Sequence, residues 1–345
     1  MSLTVDIKKA LGGFKLNVQF EAEDGTMGIL GPSGSGKTMT LKCIAGVERP
    51  DEGHIELNGV TLFDSKKGID LKPQQRQVGY LFQNYALFPN MTVERNILCG
   101  LNREKDKAKA REICRRYMAL MGLEGMGERY PYQLSGGQQQ RAALARILVG
   151  SPRLIMLDEP FGALDSHLRD RLLMEMKGIL KDFGGPAIAV THNRDEAYDL
   201  CGTIGIMEGG SMLAHKGTRE LFADPGSVAA ASITGCKNIA PAQKAGEYKL
   251  YVPDWGITLT TAKRVSDNVK AVGIRAHSFG DIPENAYAVE VLGITEGPFE
   301  DTLRFRYKGQ AWDSPDLWQR IPRSLRPEAQ PAAMGVRAED VLALE

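Results

Sequence analysis

The chain has 345 residues, and its 43 Lys+Arg are balanced by 43 Asp+Glu, so the formal net charge is zero. Charged residues make up 25% and apolar residues 43%, an ordinary mix for a soluble globular protein, and the length allows two or three domains of roughly 100–200 residues. The balanced charge argues against a dedicated nucleic-acid binder, which carries a basic excess.

In chain order, Met1 to Ala10 places Asp6, Lys8 and Lys9 where a signal peptide has its apolar stretch, so no secretory signal is expected. Lys15 to Phe20 reads as a strand. Gly28 to Leu30 is an apolar strand end leading into a Gly-rich loop, and Met39 to Gly46 reads as the helix after it. Val78 to Phe82 is a short strand. It lies in the longest uncharged run, Gln77 to Val93, whose two Gln, two Asn and one Pro make it no membrane span. Any work at a membrane therefore needs a partner that supplies the spans. Lys105 to Gly122 and Gln138 to Gly150 are helical patterns, Leu154 to Leu157 a buried strand, Ser166 to Phe183 a helix and Ala187 to Val190 another strand. This alternation predicts an α/β fold with a mainly parallel sheet.

Near residue 235 the helical period fades. Tyr248–Val252, Ile257–Thr260, Val269–Ile274, Tyr287–Leu292 and Thr302–Tyr307 read as short strands separated by Gly, Pro, Asp and Asn, the spacing of a small β-barrel or sandwich. Five cysteines, Cys43, Cys99, Cys114, Cys201 and Cys236, are scattered with no C-x-x-C pair, so they predict neither a disulfide framework nor a zinc site.

Three stretches carry chemistry. Gly31, Pro32, Ser33, Gly34, Ser35, Gly36, Lys37 and Thr38 fit G-x-x-x-x-G-K-[ST], the phosphate-binding P-loop. Its glycines let consecutive backbone N–H groups converge on phosphate oxygens. The following helix adds its positive end, Lys37 reaches the β- and γ-phosphates, and Thr38 offers a hydroxyl to Mg²⁺. Leu154-Ile-Met-Leu-Asp158-Glu159 is an apolar strand ending in two acids. Asp158 there is a metal-holding carboxylate, and Glu159 is placed to deprotonate an attacking water. Leu134-Ser135-Gly136-Gly137-Gln138 precedes a clear helical pattern; Ser135 is a good N-cap and the two glycines bare the backbone, which makes a second anion site. One P-loop already covers a nucleotide's phosphates, so this second site serves another nucleotide or another subunit.

The ordered set of P-loop, Gln83 at a strand end, Leu134-Ser-Gly-Gly-Gln138, Asp158-Glu159, Ala163-Leu-Asp165 and His192 after a buried strand resembles the ABC-type ATPases over about residues 1 to 235. The resemblance implies a P-loop NTPase cassette, a parallel-sheet core with a helical subdomain at about 84–150, followed over 236–345 by a small all-β, OB-like or TOBE-like domain. It implies ATP and Mg²⁺, with two copies packed head to tail around two ATP molecules. Ser135 and Gly137 would touch the γ-phosphate held by the partner's P-loop, and Asp165 would cross the dimer interface. Gln83 would contact Mg²⁺ or the attacking water and sense the membrane partner, and His192 would hold the γ-phosphate and Glu159. The chain departs from the family where an aromatic usually stacks on adenine. Only Phe14 and Phe20 precede the loop, Phe14 is the candidate, and loose base recognition is expected.

Tyr85, Ala86, Leu87, Phe88 and Pro89 resemble the apolar loop with which importer ATPases receive a permease helix. A single cassette with a β-rich tail is most similar to the molybdate/sulfate importer group. Thr234–Ile239 and Val272–His277 carry that likeness, and Lys237, Asn238 and Arg275 are available to an oxyanion, although solvated polar residues on strands and turns are the favoured reading of all three. This implies a peripheral ATPase at the cytoplasmic face of the membrane, with permease subunits, indirectly an extracytoplasmic solute-binding protein, and no nucleic acid. Importers of polyamine, iron or sugar remain alternatives. So does a soluble ABC-type ATPase of translation or repair, although the paired cassettes or coiled-coil inserts usual there are missing. A C-terminal half acting purely as a binding module is the third reading.

Overall fold

The computed structural model describes residues 1–101, 104–162, 166–327 and 329–345. The chain divides into two compact units, Met1–Thr218 and Arg219–Glu345. In the first, apolar residues alternate along β1 (Leu3–Leu11) and β2 (Phe14–Ala22). In β2, Leu16, Val18, Phe20 and Ala22 point inward while Lys15, Asn17, Gln19 and Glu21 stay in water, the period of a half-buried strand. The two form an antiparallel hairpin, with Leu11 opposite Phe14.

Continuous apolar runs behave differently. Strand β3 (Gly25–Leu30) precedes the Gly-rich loop, and β4 (Glu52–Leu57), β5 (Val60–Asp64), β6 (Ile69–Asp70) and β7 (Val78–Leu81) follow it. Strands β8 (Leu154–Asp158), β9 (Pro186–Thr191), β10 (Thr203–Glu208) and β11 (Ser211–Gly217) complete one eleven-stranded sheet in the order β6-β5-β4-β1-β2-β11-β10-β3-β9-β8-β7. The expected parallel core is the run β10-β3-β9-β8-β7, whose members pair parallel throughout. Every residue of β8 and β9 is buried, as parallel strands covered on both faces require. The rest of the sheet is a mostly antiparallel flank that the helix–strand alternation did not reveal.

Helix α1 (Lys37–Ala45) follows the loop, and α2 (Val93–Leu98), α3 (Lys107–Leu120) and α4 (Gly136–Leu148) fall in the expected helical subdomain. Helices α5 (Ser166–Phe183) and α6 (Arg194–Leu200) flank β9 in sequence. The end of α1 is closed from outside. Fully buried Arg76 donates from Nη1 to the carbonyls of Cys43 and Ile44, from Nε to Leu71 O, and from Nη2 to Asp70.

The second unit opens with two short helices, Thr218–Ala223 at the boundary and Val228–Ile233 within it, ahead of the change of pattern near residue 235. Arg275 ties the carbonyls of Phe222 and Thr234 to the strand before it, which explains why these residues group with the β-rich half. Among the described residues eleven strands follow in three sheets, the largest being the five strands 279–280, 333–336, 287–295, 300–307 and 317–322 in that order. Phe305 centres the core, edge-on to Phe279 at 5.2 Å and to Tyr307 at 5.7 Å.

Arg76→Ala should take the guanidinium from the carbonyls of Ile44 and Leu71, while Cys43 O keeps the Gly46 N–H. Leaving buried carbonyls without that donor costs about 3 kcal/mol, measurable as a lower urea midpoint for the first unit. Arg49→Ala, which removes only an exposed partner of the same Asp70, should leave the midpoint unchanged.

Candidate nucleotide site

Strand β3 feeds the loop 31–36 and α1 leaves it at Lys37. Gly36 is the N-cap with φ 103°, left-handed backbone that glycine adopts without strain. At Gly31 a Cβ would overlap the carbonyl oxygen of Met207 on β10, so the loop can lie this close to the sheet only as glycine. Pro32, Ser33 and Gly34 are exposed, whereas Ser35 is buried and its Oγ has no hydrogen-bond partner among the described residues. Lys37 is also buried, and its ammonium donates to Gly31 O and Pro32 O at 2.8 Å. Desolvation lowers its pKa, opposed by the charges of Glu159 and Asp158. A glycine loop at a helix N-terminus, an unpartnered hydroxyl and a buried ammonium together fit a phosphate chain.

The two acids take different environments from the same strand. Asp158, 4% exposed, is held at both oxygens: Thr38 Oγ1 donates to Oδ1 and the Tyr80 hydroxyl to Oδ2, each at 2.8 Å. Burial, and then the Asp158 charge, push the Tyr80 phenol far up. The Thr38 hydroxyl and Asp158 carboxylate are hard oxygen donors, the kind Mg²⁺ takes, set beside the phosphate loop. Glu159 has φ 46°, uncommon for a non-glycine, with its N–H bonded to Val190 O. Its carboxylate accepts from Gln83 Nε2 at 3.3 Å on Oε2, and His192 Nδ1 lies 3.3 Å from Oε1. Strands β7, β8 and β9 are neighbours in the sheet and deliver Gln83, the acid pair and His192 at their carboxyl ends. The structure thus brings Lys37, Thr38, Gln83, Asp158, Glu159 and His192 together.

Ser135 caps α4 as the sequence indicates. Its Oγ accepts from Gln138 N, and its own N–H donates to Gln138 Oε1 at 2.9 Å, a reciprocal capping box. Ser135 and Gly136 are exposed and Gly137 is buried, so the helix start faces outward. Asp165 lies outside the described residues. Phe14 is half-buried against the core of the first unit, with its ring tip against Gly36 and Gly210.

Sequence reasoning missed two residues. Tyr80 stands three positions before Gln83 and looks in the sequence like an ordinary core aromatic; only the pairing of β7 with β8 sets it beside the acids. Arg146, near the end of α4, donates to Ala86 O at 2.7 Å and Tyr85 O at 3.0 Å, and lies over the Phe88 ring. Of the loop 85–89, Tyr85 turns inward, while Phe88 and Pro89 stay exposed. In the second unit, two of the residues held available to an oxyanion have structural tasks. Asn238 is buried, donating to Ile274 O and Trp318 O and accepting from Trp318 N. Arg275 bonds backbone carbonyls. That unit does hold a cavity of about 560 Å³, lined by Phe279, Leu303 and Met334 among apolar groups and by the Asp301–Arg326 pair.

A family model described as ABC transporter matches residues 15–162. The molybdenum import ATP-binding protein ModC of Paramagnetospirillum magneticum is 38% identical over 224 residues, 65% of this chain and 61% of its own length. Sulfate/thiosulfate import ATP-binding protein CysA 2 of Chromobacterium violaceum is 40% identical over 239 residues, 69% of this chain and 63% of its own. The Fe(3+) ions import ATP-binding protein FbpC of Brucella abortus is 40% identical over 242 residues, 69% of this chain and 67% of its own. The matches thus span less than two thirds of the first two relatives. A solved dimeric structure of the ATP-binding cassette MJ0796 in a post-hydrolysis state, bound to ADP and Pi, superposes with a TM-score of 0.55 at 26% identity. It covers 64% of this chain and 99% of that one.

Gly31→Ala should push the loop off β10 and weaken binding of a fluorescent ATP analogue by about tenfold or more, roughly 1.4 kcal/mol, with the far-UV circular dichroism unchanged. Undiminished affinity would show that this loop does not cradle the phosphates.

Proposed function

The chain belongs to the ABC transporter family, and from that premise we propose that it is the ATP-hydrolysing subunit of an importer, working with a separate membrane permease. The observation that carries this reading is the Glu159 carboxylate. It is held between Gln83 and His192, one residue from an Asp158 that Thr38 and Tyr80 fix in place.

The Lys37 ammonium leaves its two loop carbonyls and donates to the β- and γ-phosphates, and the loop N–H groups and the Ser35 hydroxyl donate to further phosphate oxygens. Mg²⁺, held by Thr38 and Asp158 with Gln83 at hand, would neutralise charge on the β- and γ-phosphate oxygens. Glu159 accepts the proton of the attacking water, and Gln83 and His192 keep that carboxylate pointed at it. Its strained backbone turn sets it off the axis of β8, apart from the oxygens that Asp158 offers. Phe14, beside Gly36, is the candidate contact for the base.

The exposed N-terminus of α4 supports a head-to-tail dimer in which Ser135, Gly136, Gly137 and Gln138 complete the partner's site, with Asp165 at the seam. The dimeric state of MJ0796 supports it too. No helix among the described residues is long and apolar enough to cross a membrane, consistent with a peripheral subunit at the cytoplasmic face. A permease there would receive solute from an extracytoplasmic binding protein. Likeness to ModC and CysA favours an oxyanion cargo, molybdate first and then sulfate or tungstate. FbpC, at 40% identity against 40% for CysA 2 and 38% for ModC, supports iron as the second reading. We assign the β-rich unit a regulatory role, since it adds no nucleotide motif.

Glu159→Gln should bind ATP but hydrolyse it slower by roughly 10²–10⁴-fold, and should accumulate as an ATP-dependent dimer in sedimentation. Near-normal turnover with the permease present would remove Glu159 as the base. In membrane vesicles holding the complex, labelled molybdate uptake should need ATP and be competed by tungstate and sulfate; uptake of Fe(3+) instead would select the iron reading.

A further inference from the structure

We propose that Tyr80 is the positioning residue of the metal site: its hydroxyl, on Asp158 Oδ2, fixes the carboxylate so that Oδ1 faces Thr38 and the phosphate loop. The proposal rests on the ATPase reading above.

A buried carboxylate needs hydrogen-bonded oxygens to stay ionised and in one orientation. Asp158 is 4% exposed, and water supplies little of this. Lys37 directs its hydrogen bonds to the carbonyls of Gly31 and Pro32. Orientation therefore falls to two hydroxyls. Thr38 sits on the first turn of α1, and its oxygen must also turn to a bound cation. Tyr80 has no such second duty. It lies on β7, which pairs in parallel with β8 so that Tyr80 faces Met156, two residues before Asp158 and on the same face of its strand. From there the ring, 8% exposed and packed on Phe82 at 4.1 Å between centroids, spans the two residues to Oδ2. The donor is thus anchored in the sheet, while the other acid, Glu159, takes its partners from segments that follow β7 and β9.

Phenylalanine at this position keeps the ring and removes only the hydroxyl. Asp158 Oδ2 would then lack its donor, and the carboxylate could rotate out of register with Thr38. Loss of a partner that orients a metal ligand typically costs about 10–100-fold in metal affinity.

The test is metal binding in the full-length chain, with Mn²⁺ as the probe, read by electron paramagnetic resonance in the presence of a non-hydrolysable ATP analogue. In Tyr80→Phe the Mn²⁺ dissociation constant should rise about tenfold or more. The affinity for the same analogue in EDTA should stay that of the parent, and the Mg²⁺ concentration giving half-maximal ATPase should rise in parallel. If Tyr80→Phe fails to fold, Tyr80→Met serves the same measurement. Equal Mn²⁺ affinity in parent and variant overturns the assignment of Tyr80 alone. Loss of analogue binding in EDTA, together with the metal effect, assigns Tyr80 to general support of the fold and overturns the proposal. A parent that binds neither analogue nor Mn²⁺ overturns the ATPase reading itself.

Discussion

Parallel pairing of β7, β8 and β9 is the constraint from which the site follows. In this register Leu81 lies opposite Leu157, and Asp158 opposite Val190. Their carboxyl ends therefore come level along one edge, where open α/β sheets bind ligands. Groups distant in sequence, at 83, 158–159 and 192, are brought there within reach of single side-chain hydrogen bonds. β3, on the other side of β9, brings the phosphate loop to the same edge. Hydrogen bonding of the sheet backbone thus does most of the positioning, and the side-chain contacts at 2.8–3.3 Å only finish it.

The part of this arrangement legible in the sequence was the part with a strong period or a fixed motif. The phosphate loop, the acid pair and the capped helix at Ser135 all announce themselves through local chemistry, and the structure places them on strand ends and a helix start accordingly. Two classes of feature were not legible. Of the antiparallel flank only part of β2 was legible: β4 to β6 are strands of two to six residues, too short to carry a clear period, and β4 pairs with β1 far back in the chain. Tyr80 and Arg146 act through hydrogen bonds to Asp158 and to the 85–86 carbonyls, which no spacing rule reveals. Both look in the sequence like an ordinary core aromatic and an ordinary helix arginine.

The second unit shows the converse case. Asn238 and Arg275 looked available as polar groups at strand starts and ends, yet both are bound to main-chain carbonyls. Buried backbone groups must be paired, and in a unit made of very short strands many of them fall outside the ladders. Polar side chains are drawn inward to pair them, so a polar residue there says more about strand ends than about ligands. The cavity in this unit is instead lined mainly by apolar groups, with Asp301 buried beneath Arg326.

Arg146 has a mechanical consequence. Tyr85 and Ala86 both sit in left-handed backbone, at φ 59° and 44°, a conformation that costs each residue about 1 kcal/mol or more. The guanidinium that holds their carbonyls is carried by the same helix that Ser135 caps. A helix of thirteen residues is a rod about 20 Å long. The aromatic loop and the helix start are therefore the two ends of one lever. A force that moved Phe88 would act on the helix start at Ser135 as well as on Gln83, a few residues away in the chain.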